Sequence, residues 1–442
     1  LLYAKFGESA PPTKPSRLLI KNIGGGSIKI DFQGAENASE YIVLRGSLDI
    51  IGGLDTLGVY TDRPVVIDGL NEGETYFLSI AAKNSLGTSE PTEMLGVVPS
   101  SEQINFLIVN GFDRVSGTSN TFDFIRQHGS SINSNGRAFD SASNEAIIEE
   151  DINIMEYQFV DWILGEEGTS TSVFSNIEQN TLKTYLESGK FLFISGSEIG
   201  YDLEAQGSSS DREFYQNYLK ADYITDAAGG HQGVYSGYGT TSSIFNGITN
   251  ITYDNGSHGT YDVDWPDGIK PLGGAILCAE YSNTDYNSRG GMGIEYTGTF
   301  GLGNDIGGLI YLSVGFETIY PESKRNEIML KILELYDSQL GIENNDMIQP
   351  SAITIHSIYP NPTNTSFTIL FSTSKTNNPS QISINDLLGR EVYTTSIHNN
   401  NNLFNWTWDG LDNNGVIAPT GTYFVSIFHG GQFETRKITI LK

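Results

Sequence analysis

Hydrophobic and polar positions along the chain fall into three stretches with different periods. In the first hundred residues, short apolar runs at Ser27 to Phe32, Tyr41 to Arg45, Val65 to Ile67 and Tyr76 to Lys83 are separated by glycine and asparagine turns. That spacing predicts a β-sandwich. From about Ser101 strands alternate with helices, the pattern of an α/β sheet covered on both faces. Asn105 to Asn110 and Tyr157 to Leu164 are continuous apolar runs, as strands buried on both faces are. Between Asn176 and Ser188 apolar residues recur at helical spacing, Gly189 supplies a C-cap, and Lys190 to Ser195 returns as a strand, which completes a βαβ unit. Further strands are predicted at Ala275 to Tyr281, Gly291 to Tyr296 and Leu309 to Gly315. A closing helix from Pro321 to about Leu340 places Ile328, Ile332, Leu335 and Tyr336 on one face. The last stretch has strands near Phe367 to Phe371, Gln381 to Asn385, Glu391 to Thr395, Asn405 to Trp408, Tyr423 to Ile427 and Thr435 to Leu441, as in a compact sandwich.

Breaks in the pattern set the boundaries. Residues 10–16 form a proline-rich linker, and 341–354 are polar and asparagine-rich. The organisation expected is therefore a tail of a preceding domain over 1–9, a sandwich over 17–99, an α/β domain over 101–340 and a second sandwich over 355–442. Leu1 to Gly7 has the look of a last helical turn closed by glycine, which places Leu1 inside a longer precursor.

Composition narrows the function classes. Lys+Arg 25 against Asp+Glu 53 gives a formal charge of -28, a field that repels phosphates and anionic headgroups, so nucleic acid is not an expected partner. No apolar stretch approaches the ~20 residues of a membrane span. The single cysteine, Cys278, lies in an apolar run and is expected as a buried hydrophobe, not a nucleophile. There is no zinc-site spacing and no phosphate-cradling glycine loop, and neither a metal nor a cofactor is expected.

Three families are resembled. Leu70, Tyr76 and the run Ala82-Lys83-Asn84-Ser85-Leu86-Gly87-Thr88-Ser89 resemble the tyrosine-corner strand and closing turn of a fibronectin type III domain, with Phe32 where that family has a core tryptophan. Such modules are spacers or adhesion units. Val109 to Arg114, Asp161 to Glu167, Ile194 to Gly200 and Gly315 to Ile319 resemble the class I glutamine amidotransferase-like, flavodoxin-like domains of large secreted Bacteroidetes proteins, some labelled xanthan lyase or joined to cell-wall amidases. Tyr359-Pro360-Asn361-Pro362-Thr363, Ile384 to Val392, Gly421 to Val425 and Arg436 to Lys442 resemble the type A C-terminal signal of type IX secretion. That resemblance implies recognition of 355–442 by outer-membrane export machinery and a place on the cell surface or outside the cell. The fold class expected is multidomain: a fibronectin type III sandwich, a flavodoxin-like α/β domain and a C-terminal Ig-like sandwich.

Ligands of open α/β sheets collect at the carboxyl ends of the strands. Loops there carry Asp113 and Arg114, Glu166 and Glu167, Ser195, Ser197 and Glu198 with Asp202 nearby, and Glu317. The amidotransferase resemblance implies a thiolate after the central strand, where Ser195 and Ser197 stand instead, and a histidine-proline-glutamate segment, here Gly315-Phe316-Glu317. His231 and His258 lie in long loops that can fold back to serve Ser197 as general base, so the candidate catalytic set is Ser197, Glu198, His231 and His258. The candidate binding set is Asp113, Arg114, Glu166, Glu167 and Glu317. Gly196 to Gly200 misses a Gly-x-Ser-x-Gly elbow by one position. Glu166 or Glu167 facing Glu198 would be a carboxylate pair for glycosidic cleavage, against the plainer reading of a solvated acidic rim. Tyr235, Tyr238, Tyr261 and Trp265 hint at a sugar-stacking surface.

Two functions follow. The leading one is an accessory region, a spacer or a binder of surface polysaccharide or peptidoglycan, whose catalytic partner, such as a zinc cell-wall amidase, lies upstream. The competing one is a hydrolase or lyase of polysaccharide or peptidoglycan working in the α/β crevice.

Overall fold

The computed structural model describes residues 10–47, 53–168, 172–339, 353–373, 380–397, 403–429 and 432–441. The expected helical turn at Leu1 to Gly7 and most of the 341–354 linker lie outside the described residues. The chain divides into two compact units, Leu1–Gly341 and Ile342–Lys442.

The first unit is organised by strands β1 (Ser16–Gly24), β2 (Phe106–Asn110), β3 (Asp140–Ser143), β4 (Phe159–Gly165), β5 (Phe191–Gly196) and β6 (Gly307–Leu312). The last five are parallel and lie side by side in the order β3-β2-β4-β5-β6. Alternation along each strand divides their residues between two cores. Phe106, Ile108, Phe159, Ile163 and Phe193 face helices α1 (Ile125–Ser134) and α3 (Glu322–Gln339), which pack together. Leu107, Val109, Val160, Trp162 and Ile194 face the side covered by α2 (Asn176–Glu187). Ser175 and Glu178 start α2 with a reciprocal capping box. Among the elements that escaped the sequence reading are β1, α1, β3 and the helix Ser209–Asn217.

The N-terminal sandwich does not stand apart from this layer. β1 pairs antiparallel with β3, with Leu19 opposite Ala142, so a single sheet of thirteen strands runs from the α/β layer into the sandwich. Side chains reinforce the seam. Arg17 holds Asp151 with two bonds of 2.7 and 2.6 Å, and Asp140 accepts from the Asn22 amide at 2.7 Å and the Tyr157 hydroxyl at 2.8 Å. The Gly96 amide donates to the buried Ser141 hydroxyl at 3.0 Å. Pro12 and Pro15 are buried, and Thr13 donates its amide to the Glu36 carbonyl, so the proline-rich segment lies against the sandwich. A simple spacer predicts a free-standing domain; this one is built into its neighbour. The tyrosine corner is present, with the Asn71 amide donating to the Tyr76 hydroxyl at 3.0 Å.

The second unit is a two-sheet sandwich. Ile353–Tyr359, Phe367–Thr373 and Leu403–Trp408 form one sheet. Glu391–Ile397, Ser380–Asp386, Gly421–His429 and Gln432–Ile440 form the other, in that order. Tyr423, Val425 and Ile427 point inward while Phe424 and Phe428 point to solvent, the period-two pattern of a half-buried strand. The Asn361 side chain clamps the final strand, donating to the Lys437 carbonyl and accepting from the Thr439 amide.

Candidate functional site

The chain leaves β5 through Gly196-Ser197-Glu198-Ile199-Gly200 and turns into the helical segment Tyr201–Gln206. The apex of that turn is Glu198, held at a φ of 63°, a left-handed conformation that a side-chain-bearing residue adopts at a cost of ~1–3 kcal/mol. Both flanking glycines are required by space. A Cβ on Gly196 would lie 2.9 Å from the Leu164 Cβ, and one on Gly200 would lie 2.5 Å from the Tyr215 hydroxyl. The motif is therefore an elbow with glutamate at its apex. Ser197 is instead turned under the turn, its amide donating to the Gly165 carbonyl at 2.8 Å and its hydroxyl directed at the same oxygen. Ser195 is buried and accepts from the Phe316 amide at 3.2 Å. Asp202 points away, accepting from the Val173 amide and lining a separate cavity of about 200 Å³.

Arg114 ties the loops after β2, β4 and β5 together. Its Nη1 donates to the Glu166 carbonyl at 2.8 Å and lies 3.5 Å from Glu198 Oε2, while its Nε donates to the Ser116 carbonyl at 2.8 Å. Glu167 has a supporting place: it is buried, and its carboxylate accepts from the Asp113 and Arg114 amides at 3.0 and 2.8 Å, which fixes the loop that presents Arg114. Glu166 accepts from the Thr118 hydroxyl at 2.6 Å. Burial, reinforced by the charges of Asp264 and Glu198, pushes its carboxyl up to about 8 despite that hydrogen bond and Arg114. Glu166 thus keeps its proton at neutral pH.

The two loop histidines do not come to Ser197. His231 pairs with Asp264 at 2.9 Å and stacks on Trp265, ring centroids 4.8 Å apart, with Trp265 37% exposed. His258 stacks on Tyr320 at 3.8 Å, and its backbone amide donates to the Asp254 carboxylate at 2.9 Å. Neither bonds to Ser197, so a serine-histidine nucleophile is not assembled. Of the expected stacking residues, Trp265 is exposed beside Asp264, whereas Tyr235 is tied to Asp262 at 2.6 Å, Tyr238 to Glu280 at 3.1 Å, and Tyr261 is buried.

Behind the crevice lies a charged cluster that the sequence reading missed. His128, from α1, is held between Asp161 at 2.8 Å and Glu317 at 3.2 Å, and all three are wholly buried. The Tyr261 hydroxyl donates to the other Glu317 oxygen at 2.6 Å. A Cβ on Gly315 would lie 2.1 Å from that hydroxyl, so Gly315 makes room for it. Burial opposes charge on His128, yet Asp161 and Glu317 push the imidazole up to about 9; burial raises the Asp161 carboxyl. Glu317 is therefore a structural partner of an imidazolium, not a crevice ligand. The available signal was Asp161, a carboxylate inside an otherwise apolar strand, which demands a buried partner.

Among the described residues no group of three or more histidine, cysteine, aspartate or glutamate side chains is arranged to hold a metal ion, and no helix is long and apolar enough to cross a membrane. Cys278 is buried, and burial pushes its thiol well up.

Comparison with known proteins places the second unit. Residues 357–441 match the family model of the secretion system C-terminal sorting domain. No curated protein matches the sequence. Solved structures with fibronectin type III-like folds are similar to part of the chain. One is FN3tt, at 13% identity and a TM-score of 0.19, covering 21% of this chain and 99% of that one. Another is a domain of human fibronectin type III domain containing protein 3, at 17% identity and 0.19, covering 23% and 95%. PorZ, a bacterial surface component of the type IX secretion system of Porphyromonas gingivalis, matches at 17% identity and 0.17, covering 23% of this chain and 13% of its own. The sorting domain at 357–441 marks the chain as a substrate of type IX secretion, exported to the cell surface or the extracellular space.

Proposed function

We propose that this exported chain is an accessory region that binds surface polysaccharide or peptidoglycan in the crevice of its α/β layer. The observation that carries the reading is the convergence of Arg114, Glu166 and Glu198 at the carboxyl ends of adjacent parallel strands, with the Trp265–His231 stack close enough for Asp264 to act on Glu166. Sugars present hydroxyls that both donate and accept, together with apolar ring faces. A guanidinium, a carboxylate, a protonated carboxyl and an exposed indole are the complementary set.

In this reading the α/β layer is a flavodoxin-like, glutamine amidotransferase-like domain without amidotransferase chemistry. In its favour, the five parallel strands numbered by appearance lie in the order 2-1-3-4-5. Glutamate stands at the elbow, and the only thiol is buried at Cys278. The continuous sheet makes the sandwich a rigid extension of that layer.

The test is co-sedimentation of the full chain with insoluble peptidoglycan and with neutral polysaccharides. Trp265→Ala should weaken retention by about tenfold, while Phe433→Ser, on the sorting unit, leaves it unchanged. Equal retention of Trp265→Ala and wild type would remove the crevice from consideration.

A further inference from the structure

We propose that Glu166 and Glu198 cleave a glycosidic bond in a neutral glycan held in this crevice, an activity that rests on the binding reading above. Two carboxyl groups suffice for that reaction when one arrives protonated and the other ionised. The geometry separates them in this way. Glu198 is ion-paired with the Arg114 guanidinium at 3.5 Å, and its elbow fixes it at the strand end. Glu166 is at the end of the neighbouring strand, where Gly165 pairs with Gly196, and the Thr118 hydroxyl occupies its Oε2. The protonated oxygen is then Oε1. One nitrogen, Arg114 Nη1, reaches both the Glu166 carbonyl and the Glu198 carboxylate, so the two loops are held in a fixed relation.

The step balances with water as co-reactant. Glu166 gives its proton to the bridging oxygen as the bond from C1 to that oxygen breaks, and the bonding pair stays on the departing oxygen. Water adds to C1 and passes its proton to Glu198. The products are two shorter chains with one new reducing end, and solvent returns Glu166 and Glu198 to their starting states. Charge selects the substrate class: the chain carries -28, and the crevice pairs Arg114 with Glu198 and adds the carboxylate of Asp264, so a uronate-rich polymer meets no net attraction. Trp265, stacked on His231, which Asp264 holds at 2.9 Å, supplies the wall on which a sugar ring can lie.

The experiment incubates the full chain with insoluble neutral β-glucan, with peptidoglycan sacculi and with polygalacturonate, measuring new reducing ends and retention on the insoluble materials. Wild type should release reducing ends from one of the first two. Glu166→Gln and Glu198→Gln should each lose about 100-fold in the rate of new reducing ends per molecule retained on the polymer. Turnover should fall as pH rises through about 8, where Glu166 loses its proton. Retention without new reducing ends overturns the cleavage proposal and leaves glycan binding standing. Absence of retention removes both. Cleavage of polygalacturonate alone overturns the charge argument, and full activity in either glutamine variant overturns the assignment of the pair.

Discussion

Replacing His128 by leucine tests the buried cluster that organises the floor of the crevice. The side chain is of similar size, so the change removes charge and hydrogen bonds with little loss of volume. Asp161 and Glu317, bonded to His128 at 2.8 and 3.2 Å and wholly buried, would face each other without the imidazolium. Breaking a buried pair while its partners remain costs ~3–5 kcal/mol. Linkage gives a second figure. His128 is raised from 6.5 to about 9, and at 1.36 kcal/mol per pKa unit that corresponds to ~3 kcal/mol. Because the folded value is the higher one, this contribution is fully present below 6.5 and is lost as pH rises through about 9. Urea unfolding of the full chain, in a Trp406→Phe, Trp408→Phe background so that Trp162 and Trp265 report the first unit, should show a gap of ~3–5 kcal/mol near neutrality that narrows on the alkaline side. A His128→Leu protein within ~0.5 kcal/mol of the parent at every pH would refute the claim that the cluster is charged and stabilising.

Gly315→Ala should displace the Tyr261 hydroxyl from Glu317, since the new Cβ would lie 2.1 Å from it; thermal unfolding should show a loss of ~2–4 kcal/mol, against no loss if the loop simply shifts. Ser141→Ala leaves the buried Gly96 amide without its side-chain acceptor at the seam between sandwich and α/β layer, and should cost ~1–3 kcal/mol by urea denaturation. Glu166, raised from 4.5 to about 8, favours the folded state fully below 4.5 and loses that contribution as pH rises through about 8. Glu166→Gln should therefore flatten the stability profile between those values. Deleting 355–442 should retain the chain behind the outer membrane, as fractionation and immunoblotting would show; unchanged export would mean that another segment carries the address.

The sequence was most legible where burial imposes a period. The continuous apolar runs of β2, β4 and β5 emerged within two residues of their expected bounds, and the 176–188 helix began at Asn176 as expected. The antiparallel half of the sandwich followed the same logic. β1 was missed because Arg17, Lys21 and Asn22 interrupt its apolar pattern; the Arg17 and Lys21 side chains serve the seam with Asp151 and Glu156, and the Asn22 backbone amide donates to Asp140. α1 was missed because its buried face carries Arg126, Gln127, His128 and Ser131, polar residues whose burial depends on partners distant in sequence. The site divided along the same line. Glu198 and Arg114 could be named from strand ends, but Glu198 was ranked behind Ser197 because the apex of the elbow is a matter of backbone φ. His231 and His258 were selected as loop histidines, whereas the histidine with carboxylate partners on both ring nitrogens is His128, on a helix that alternation alone could not place.

Hydrogen exchange of the full chain, with and without soluble fragments of the glycan that it sediments with, tests glycan binding at the crevice most directly. Slowed exchange should be confined to 113–118, 165–168, 197–201 and 262–265, the loops that carry Arg114, Glu166, Glu198 and Trp265. Protection confined to the sandwich at 27–46, or unchanged exchange at all four loops while the chain is bound, would contradict it.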